Sequence, residues 1–215
     1  MTNRVVLVRH GQSTGNADGS FYKHNVDAAV CLTQLGVSQA LHAGQKLDEL
    51  RGHLKWPWHG VLAFTSEYTR AQQTGRIVLD KMGLKHIDMT ITPAINERMY
   101  GDNDTPPDWH KNAYAVCSNG ESLLAAQARF NGWWATMEPN LSQRDIVLFC
   151  HGEIMKSITA TLLNLSPTEL VKVSTPNAVP VIFERTVDSL TGRSTYNPSI
   201  HTFKRYDDTA TDVIH

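Results

Sequence analysis

The sequence predicts an α/β protein, a three-layer α/β/α sandwich around a mostly parallel central sheet. Three observations predict it. Arg4–Val8, Val61–Thr65 and Ile146–Cys150 are short, apolar runs rich in β-branched residues, as in strands covered on both faces. Stretches with apolar residues at helical spacing separate them, and alternating strands and helices build an open sheet with helices packed against it. The 215 residues are 41% hydrophobic, enough to bury one full core, so one domain spanning residues 1–215 is expected.

The elements follow in order. Arg4–Val8 stops at Arg9-His10-Gly11. Gly15–Val30, with Gly, Asn, Asp and Ser and little periodicity, reads as a loop over the end of that strand. Thr33 caps a helix to about His53 carrying Leu35, Ala40, Ala43, Leu47 and Leu50 on one face. Trp56-Pro57-Trp58-His59-Gly60 breaks it, and Val61–Thr65 is the next strand. Ser66 is positioned to cap a helix to about Met82, with Arg70 in its first turn.

Ile87–Ile91 is a weaker strand, followed by an irregular stretch from Pro93 to Trp109 rich in Asn, Asp, Pro and Gly. Long irregular stretches in compact domains are often functional. Gly120 to about Met137 reads as a helix whose bulk, including Trp133 and Trp134, belongs to the core. Ile146–Cys150 ends at His151-Gly152 before a helix from Glu153 to about Leu163. Ala178–Glu184 and Ser199–Tyr206 read as a final antiparallel pair joined through a turn-prone Asp188–Pro198 segment.

Composition narrows the function. Twenty Lys and Arg against 21 Asp and Glu leave a formal charge of -1, which supplies no field for nucleic acid or an acidic membrane surface. The first apolar run is too short for a signal-peptide core or a membrane span, so a cytoplasmic protein is expected. Cys31, Cys117 and Cys150 are odd in number and unpaired in spacing, which argues against a disulfide framework or a zinc site. Nothing in the sequence reports oligomeric state.

In open α/β sheets ligands sit beyond the carboxyl ends of the strands. His10 and His151 both hold such positions, and Arg70 follows a third strand at a helix start, where backbone N–H groups favour an anion. Two imidazoles and two guanidiniums, counting Arg9, suit a phosphoryl group: Arg forks match its oxygens, and a neutral imidazole attacks phosphorus. The leaving oxygen needs an acid. Glu97 is the candidate from the irregular stretch, although spacing alone does not single it out.

The motifs together resemble the histidine phosphatase superfamily, also called the phosphoglycerate mutase-like family, over most of the chain. Arg9-His10-Gly11-Gln12-Ser13-Thr14-Gly15-Asn16 is similar to its R-H-G-x-S-x-x-N motif, and Leu32-Thr33-Gln34-Leu35-Gly36 to its L-T-x-x-G helix start. Ser66 to Thr74 resembles S-x-x-x-R-A-x-x-T, Asn96-Glu97-Arg98 the acidic motif, Gly120-Glu121-Ser122 a later helix start, and Val147–Gly152 the strand ending in the second His-Gly.

The resemblance implies a phosphoglycerate mutase-like fold with His10 as the nucleophile that forms a phosphohistidine. Arg9, Arg70 and His151 would bind the phosphoryl group, and Glu97 would donate and accept protons. Ser13, Asn16 and the Gly152 backbone would add phosphate contacts, with ordinary turn hydrogen bonding as the competing reading for Ser13 and Asn16. Arg98 and Tyr100 either reach substrate or form a salt bridge and a packed ring. Glu121 either orients a catalytic arginine or is a first-turn acid. Glu153 either repels an anionic substrate tail or favours its helix start. No cofactor and no metal is expected, and the partner is a small phosphate ester or a phosphoprotein, with no nucleic acid and no membrane.

A metal-independent phosphomonoesterase is favoured. Cofactor-dependent mutases of the family carry a longer, more basic insertion after the acidic motif, whereas Asp102–Asn119 here contains Lys111 as its only Lys or Arg, beside His110. The alternatives are a phosphoglycerate mutase and a noncatalytic phosphate-binding module on the same fold. A metallohydrolase, with a metal shared by His151 and Glu153, is a minor one.

Overall fold

The computed structural model describes residues 3–23, 27–53, 60–102, 109–141 and 144–199. Six strands form one sheet: β1 (Asn3–Arg9), β2 (Leu62–Thr65), β3 (Met89–Ile91), β4 (Ile146–Cys150), β5 (Val181–Val187) and β6 (Ser194–Pro198), in the order β3-β2-β4-β1-β5-β6. The first four strands run parallel, and β5 and β6 join antiparallel at one edge. The mostly parallel sandwich expected from the sequence is therefore the fold.

Period-two alternation assigns the two faces. Val6 and Val8 point to the side where α2 (Gln34–His53) and α3 (Thr69–Lys81) pack through Ala40, Ala43, Leu47, Val78 and Leu79. Val5 and Leu7 point to the other side, toward Ala126, Phe130 and Trp134 of α4 (Leu123–Met137) and Ile154 and Ile158 of α5 (Gly152–Leu163). Val5 to Val8 are fully buried, each burial stabilising by about 2 kcal/mol. Trp134 stacks on Phe130 with centroids 5.5 Å apart, as core rather than platform.

Several boundaries differ from expectation. The Gly15–Val30 segment is not structureless: Ser13 caps a short helix α1 (Thr14–Ala17), and single 3₁₀ turns follow at Gly19–Lys23 and Asp27–Ala29. Its capping groups are local polar side chains, which periodicity does not register. Ser66 does not cap α3, whose first residue is Thr69 after Tyr68. The helix expected from Gly120 starts at Leu123, where Ser122 Oγ accepts from Ala125 N at 3.0 Å. The segment Asp188–Pro198 is only half turn: Ser194–Pro198 is β6, in register with Phe183–Val187. The strand expected at Ser199–Tyr206 lies, beyond Ser199, outside the described residues.

The topology creates the site. The chain leaves β1 toward α2 on one face and leaves the adjacent parallel β4 toward α5 on the other, so a crevice opens between their carboxyl ends. Gly11 and Gly36 close one wall. A Cβ on Gly11 would lie within 2.9 Å of the Gly36 carbonyl carbon and Cα, and one on Gly36 would meet the Gln12 backbone as closely. The turn after β1 thus lies directly on the first turn of α2, a contact only glycine at both positions permits.

Candidate active site

Strand register brings the site residues together. Arg9 pairs with Cys150 and Thr65 with Phe149, so His10, His151 and Ser66 sit one step past the ladder on three adjacent strands. His10 N donates to Cys150 O at 2.9 Å, and Ser66 N donates to Phe149 O at 3.1 Å. The two imidazoles meet edge to face, with centroids 5.1 Å apart.

The His10 tautomer follows from its neighbours. Nδ1 lies 2.7 Å from Gly11 O, and because a carbonyl only accepts, Nδ1 carries the hydrogen. Nε2 is left with its lone pair, which accepts from Arg70 Nε at 3.2 Å. Burial, then Arg70, then Arg9 hold the His10 pKa well below the ordinary histidine value, so the ring is neutral at pH 7.

Arg70 is fixed at Nη1 by Asp27 Oδ1 at 2.7 Å and Asp27 O at 2.8 Å, and Tyr68 lies against its guanidinium at 4.9 Å. Arg9 gives Nη1 to Thr175 O at 2.7 Å, while its Nε is buried with no partner among the described residues. Gly152 lets Arg9 lie against the start of α5: a Cβ there would stand 3.3 Å from Arg9 Cζ.

His151 Nε2 and Ser66 Oγ are 2.6 Å apart, and Ser66 Oγ also accepts from Tyr68 N. His151 Nδ1 is buried with no partner among the described residues. Burial first, then the charges of His10, Arg70 and Arg9, lower the His151 pKa well below its usual value. Two buried nitrogens, Arg9 Nε and His151 Nδ1, are thus without partners among the described residues within one cluster of Arg and His side chains.

Glu97 lies at the N-terminus of α5. Its Oε1 accepts from Arg98 N at 2.9 Å and from Glu153 N and Ile154 N at 3.1 Å each. Those donors favour the carboxylate, yet burial outweighs them, and with the Glu153 charge it raises the Glu97 pKa above the ordinary glutamate value. Burial is the largest influence because the group is only 9% exposed.

The remaining expectations divide. Ser13 and Asn16 form a capping box, Ser13 N donating to Asn16 Oδ1 at 3.1 Å and Asn16 N to Ser13 Oγ at 3.2 Å. Arg98 is packed into the irregular stretch. Its guanidinium is wholly buried, stacks 3.3 Å from the Trp109 ring centroid, and donates to Glu121 O at 2.8 Å and Ala115 O at 2.5 Å. It ties the irregular stretch down from beneath. Tyr100 is 45% exposed beside Trp109, and burial of its hydroxyl end near Glu97 and Glu153 pushes its pKa up.

Glu121 orients an arginine, but neither Arg9 nor Arg70. It pairs in fork geometry with Arg129, both contacts at 2.9 Å, and Arg129 in turn donates to Pro93 O, Ala94 O and Asn96 O. Glu153 is 2.8 Å from Lys156 and 3.5 Å from Arg98. Among the described residues no three His, Cys, Asp or Glu side chains converge as a metal ion requires.

Sequence reasoning missed Arg129, Asn177 and the true role of Ser66. Asn177 Nδ2 reaches His10 O at 2.9 Å and Asn16 Oδ1 at 3.3 Å from a loop remote in sequence. Only the position of Ser66 at a strand end gave a signal. Arg129→Ala is expected to lower stability by about 2–4 kcal/mol, because it strands the Glu121 carboxylate and three carbonyls. The drop is read by urea denaturation, and kcat/KM falls with it as the Glu97 segment loosens; an unchanged midpoint would refute the role given to Arg129.

Fold and site define an α/β protein with a cluster of two arginines and two histidines at the carboxyl edge of its sheet. The sequence profile of the histidine phosphatase superfamily, branch 1, matches residues 5–197. The chain belongs to that superfamily.

A 2,3-bisphosphoglycerate-dependent phosphoglycerate mutase of Mesorhizobium japonicum is 34% identical over 206 residues, covering 88% of this chain and 95% of the relative. One from a Bradyrhizobium strain is 32% identical over 205 residues, covering 86% and 93%. Among solved structures, a mycobacterial glucosyl-3-phosphoglycerate phosphatase with VO3 superposes with a TM-score of 0.70 at 20% identity, over 94% of this chain and all of that one. A putative α-ribazole-5'-P phosphatase from Escherichia coli superposes at 0.69 with 22% identity, over 91% and 95%. These two likenesses concern the fold.

Proposed function

We propose that the protein is a metal-independent phosphatase that hydrolyses a phosphomonoester through a phosphohistidine on His10. The observation that carries this reading is the His10 tautomer: a neutral ring whose Nε2 lone pair faces Arg70. Arrival of the phosphoryl group draws the Arg70 Nε–H from His10 Nε2 to a phosphoryl oxygen, and Nε2 then attacks phosphorus. Arg9 Nε and His151 Nδ1 take the other oxygens, with the Ser13 hydroxyl, the Asn16 amide and the Gly152 backbone completing the cradle.

As the P–O bond to the leaving group breaks, Glu97 passes its proton to that oxygen. The resulting Glu97 carboxylate takes a proton from water, the water oxygen attacks phosphorus, the P–N bond breaks, and inorganic phosphate leaves with the His10 lone pair restored. The raised pKa of Glu97 suits both roles. One domain carries the whole site, and the free thiols Cys31, Cys117 and Cys150 fit a cytoplasmic, reducing setting.

Hydrolysis is favoured over mutation by the Asp102–Asn119 stretch, in which Asp102, Asp104 and Asp108 outnumber the single Lys111, so that it offers a carboxylate-bearing substrate no clamp. The second reading, a phosphoglycerate mutase, has the names of the 32–34% identical relatives behind it. Supplied with 3-phosphoglycerate and 2,3-bisphosphoglycerate, with and without chelator, the protein is expected to form little 2-phosphoglycerate. It should release inorganic phosphate from a panel of monoesters, chelator notwithstanding. Efficient 2-phosphoglycerate formation stimulated by the bisphosphate would establish the mutase instead.

A further inference from the structure

Ser66 directly follows β2, and its side chain is wholly buried. Its Oγ accepts from Tyr68 N at 3.0 Å and lies 2.6 Å from His151 Nε2. A hydroxyl has one hydrogen to give and two lone pairs to offer, whereas a backbone N–H only donates. The bond from Tyr68 N therefore occupies a lone pair and leaves the hydroxyl hydrogen to be placed. Among the described residues, the acceptor within its reach is His151 Nε2.

That constraint decides the state of the His151 ring. Burial, then the charges of His10, Arg70 and Arg9, keep the ring neutral at pH 7, so one of its two nitrogens carries a hydrogen. With the hydrogen on Nε2, Ser66 Oγ would accept twice and its own hydrogen would be buried without an acceptor, which costs about 1–3 kcal/mol. With the hydrogen on Nδ1, Ser66 donates to Nε2 and accepts from Tyr68 N, and nothing on the hydroxyl is left over. The ring packs edge to face against His10 and Tyr68, with centroids 5.1 and 5.0 Å away, which limits its rotation.

We propose that Ser66 is a positioning residue that holds His151 in its Nδ1–H tautomer by donating to Nε2, and that an oxygen of the bound phosphoryl group is the acceptor Nδ1 lacks in the protein. The second half rests on the phosphatase reading above. Nδ1 is buried without a partner among the described residues, and an N–H there calls for an acceptor, where a bare lone pair would repel an anion's oxygens. The bond into Nε2 also polarises the ring and makes Nδ1–H a stronger donor. The two histidines thus share a tautomer and are engaged at opposite nitrogens. Gly11 O holds Nδ1 of His10 and leaves a lone pair to attack; Ser66 Oγ holds Nε2 of His151 and leaves a hydrogen to give. Ser66 itself touches no reacting atom.

The test is long-range ¹H–¹⁵N correlation of the histidine rings in ¹⁵N-labelled protein at pH 7, with the His151 signals assigned by their loss in His151→Gln. In the native protein His151 is expected to show a protonated Nδ1 and a bare Nε2, and saturation with inorganic phosphate should shift the Nδ1 signal. In Ser66→Ala the ring should leave the single Nδ1–H form. For p-nitrophenyl phosphate, whose leaving group departs without protonation, kcat/KM should fall about tenfold in that variant, as the loss of one hydrogen bond requires. Ser66→Thr keeps the hydroxyl and should restore both readings.

A native His151 with hydrogen on Nε2, or on both nitrogens, would overturn the proposal even if neither variant folds, and so would an unmoved tautomer in folded Ser66→Ala. An Nδ1 signal unmoved by saturating phosphate would overturn the phosphoryl contact. No turnover of any ester by a protein whose His151 carries the Nδ1 hydrogen would overturn the phosphatase reading and leave the hold of Ser66 on His151 standing.

Discussion

His10→Ala is expected to lower kcat by at least about 10⁴-fold while the far-ultraviolet circular dichroism and the cooperative unfolding transition persist. No neighbour can substitute for the lost nucleophile. His151 is close, but its Nε2 is held by Ser66 Oγ at 2.6 Å, so its ring is committed to a different orientation. Arg9, Arg70 and Glu97 are untouched in the variant, so phosphate esters should still bind with KM changed little. Brief incubation with a ³²P-labelled ester and alkaline quench should label the native protein at His10 and leave the variant unlabelled. Turnover near the native rate in His10→Ala would remove the central claim.

Glu97→Gln has the second largest expected effect and is the more diagnostic, because it separates the acid from the cradle. The glutamine keeps an oxygen for Arg98 N, Glu153 N and Ile154 N, so the loop should hold its place. It has no proton to give. For alkyl phosphates kcat/KM, which reports the steps up to the phosphohistidine, should fall by about 10²–10³-fold, and for p-nitrophenyl phosphate, whose leaving group departs without protonation, much less.

The pH profile carries the same signature. The His10 pKa is lowered, so its lone pair survives acidification to well below the ordinary histidine range. The Glu97 pKa is raised, so its proton persists above the ordinary glutamate range and is lost as pH rises further. The profile of kcat/KM for alkyl esters should therefore be a bell displaced to the acid side. Its alkaline limb belongs to Glu97 and should vanish in Glu97→Gln; an alkaline limb unchanged in that variant would assign the acid to another group.

Much of the fold was legible in the sequence because its strands are buried on both faces. Val5–Val8 and Ile146–Cys150 have no solvent face and so no polar alternation, and continuous apolar runs of that length between helical periods leave few alternatives. The antiparallel edge was harder. β6 is Ser194-Thr195-Tyr196-Asn197-Pro198, polar and mostly exposed, and its strand character comes from pairing with β5 rather than from composition. The Gly15–Val30 segment was unreadable for a related reason: its short helix and turns depend on single capping side chains such as Ser13.

The candidate site divides along the same line. Arg9, His10, Arg70 and His151 were visible because each follows a strand, and strand ends are where open sheets place their ligands. Arg98 shows the limit: adjacent to Glu97 in the chain, it points the opposite way, under Trp109, because an extended backbone sends successive side chains to opposite sides. Arg129 and Asn177 were invisible, since a helix surface arginine and a loop asparagine look the same wherever they fold.

From the sequence alone came the chemistry: which residue types are present, that two histidines and two arginines stand at strand and helix ends, and that one carboxyl group lies in a segment able to approach them. Only the tertiary structure decided their state and direction. Register sets His10 beside His151, Gly11 O fixes which His10 nitrogen keeps its lone pair, and burial, then the Arg98 backbone N–H and the Glu153 charge, set the acidity of Glu97. The reason is physical. A side chain's identity is local, whereas its tautomer, proton affinity and aim are set by the dielectric and the partners around it, and those are supplied by segments dozens of residues away.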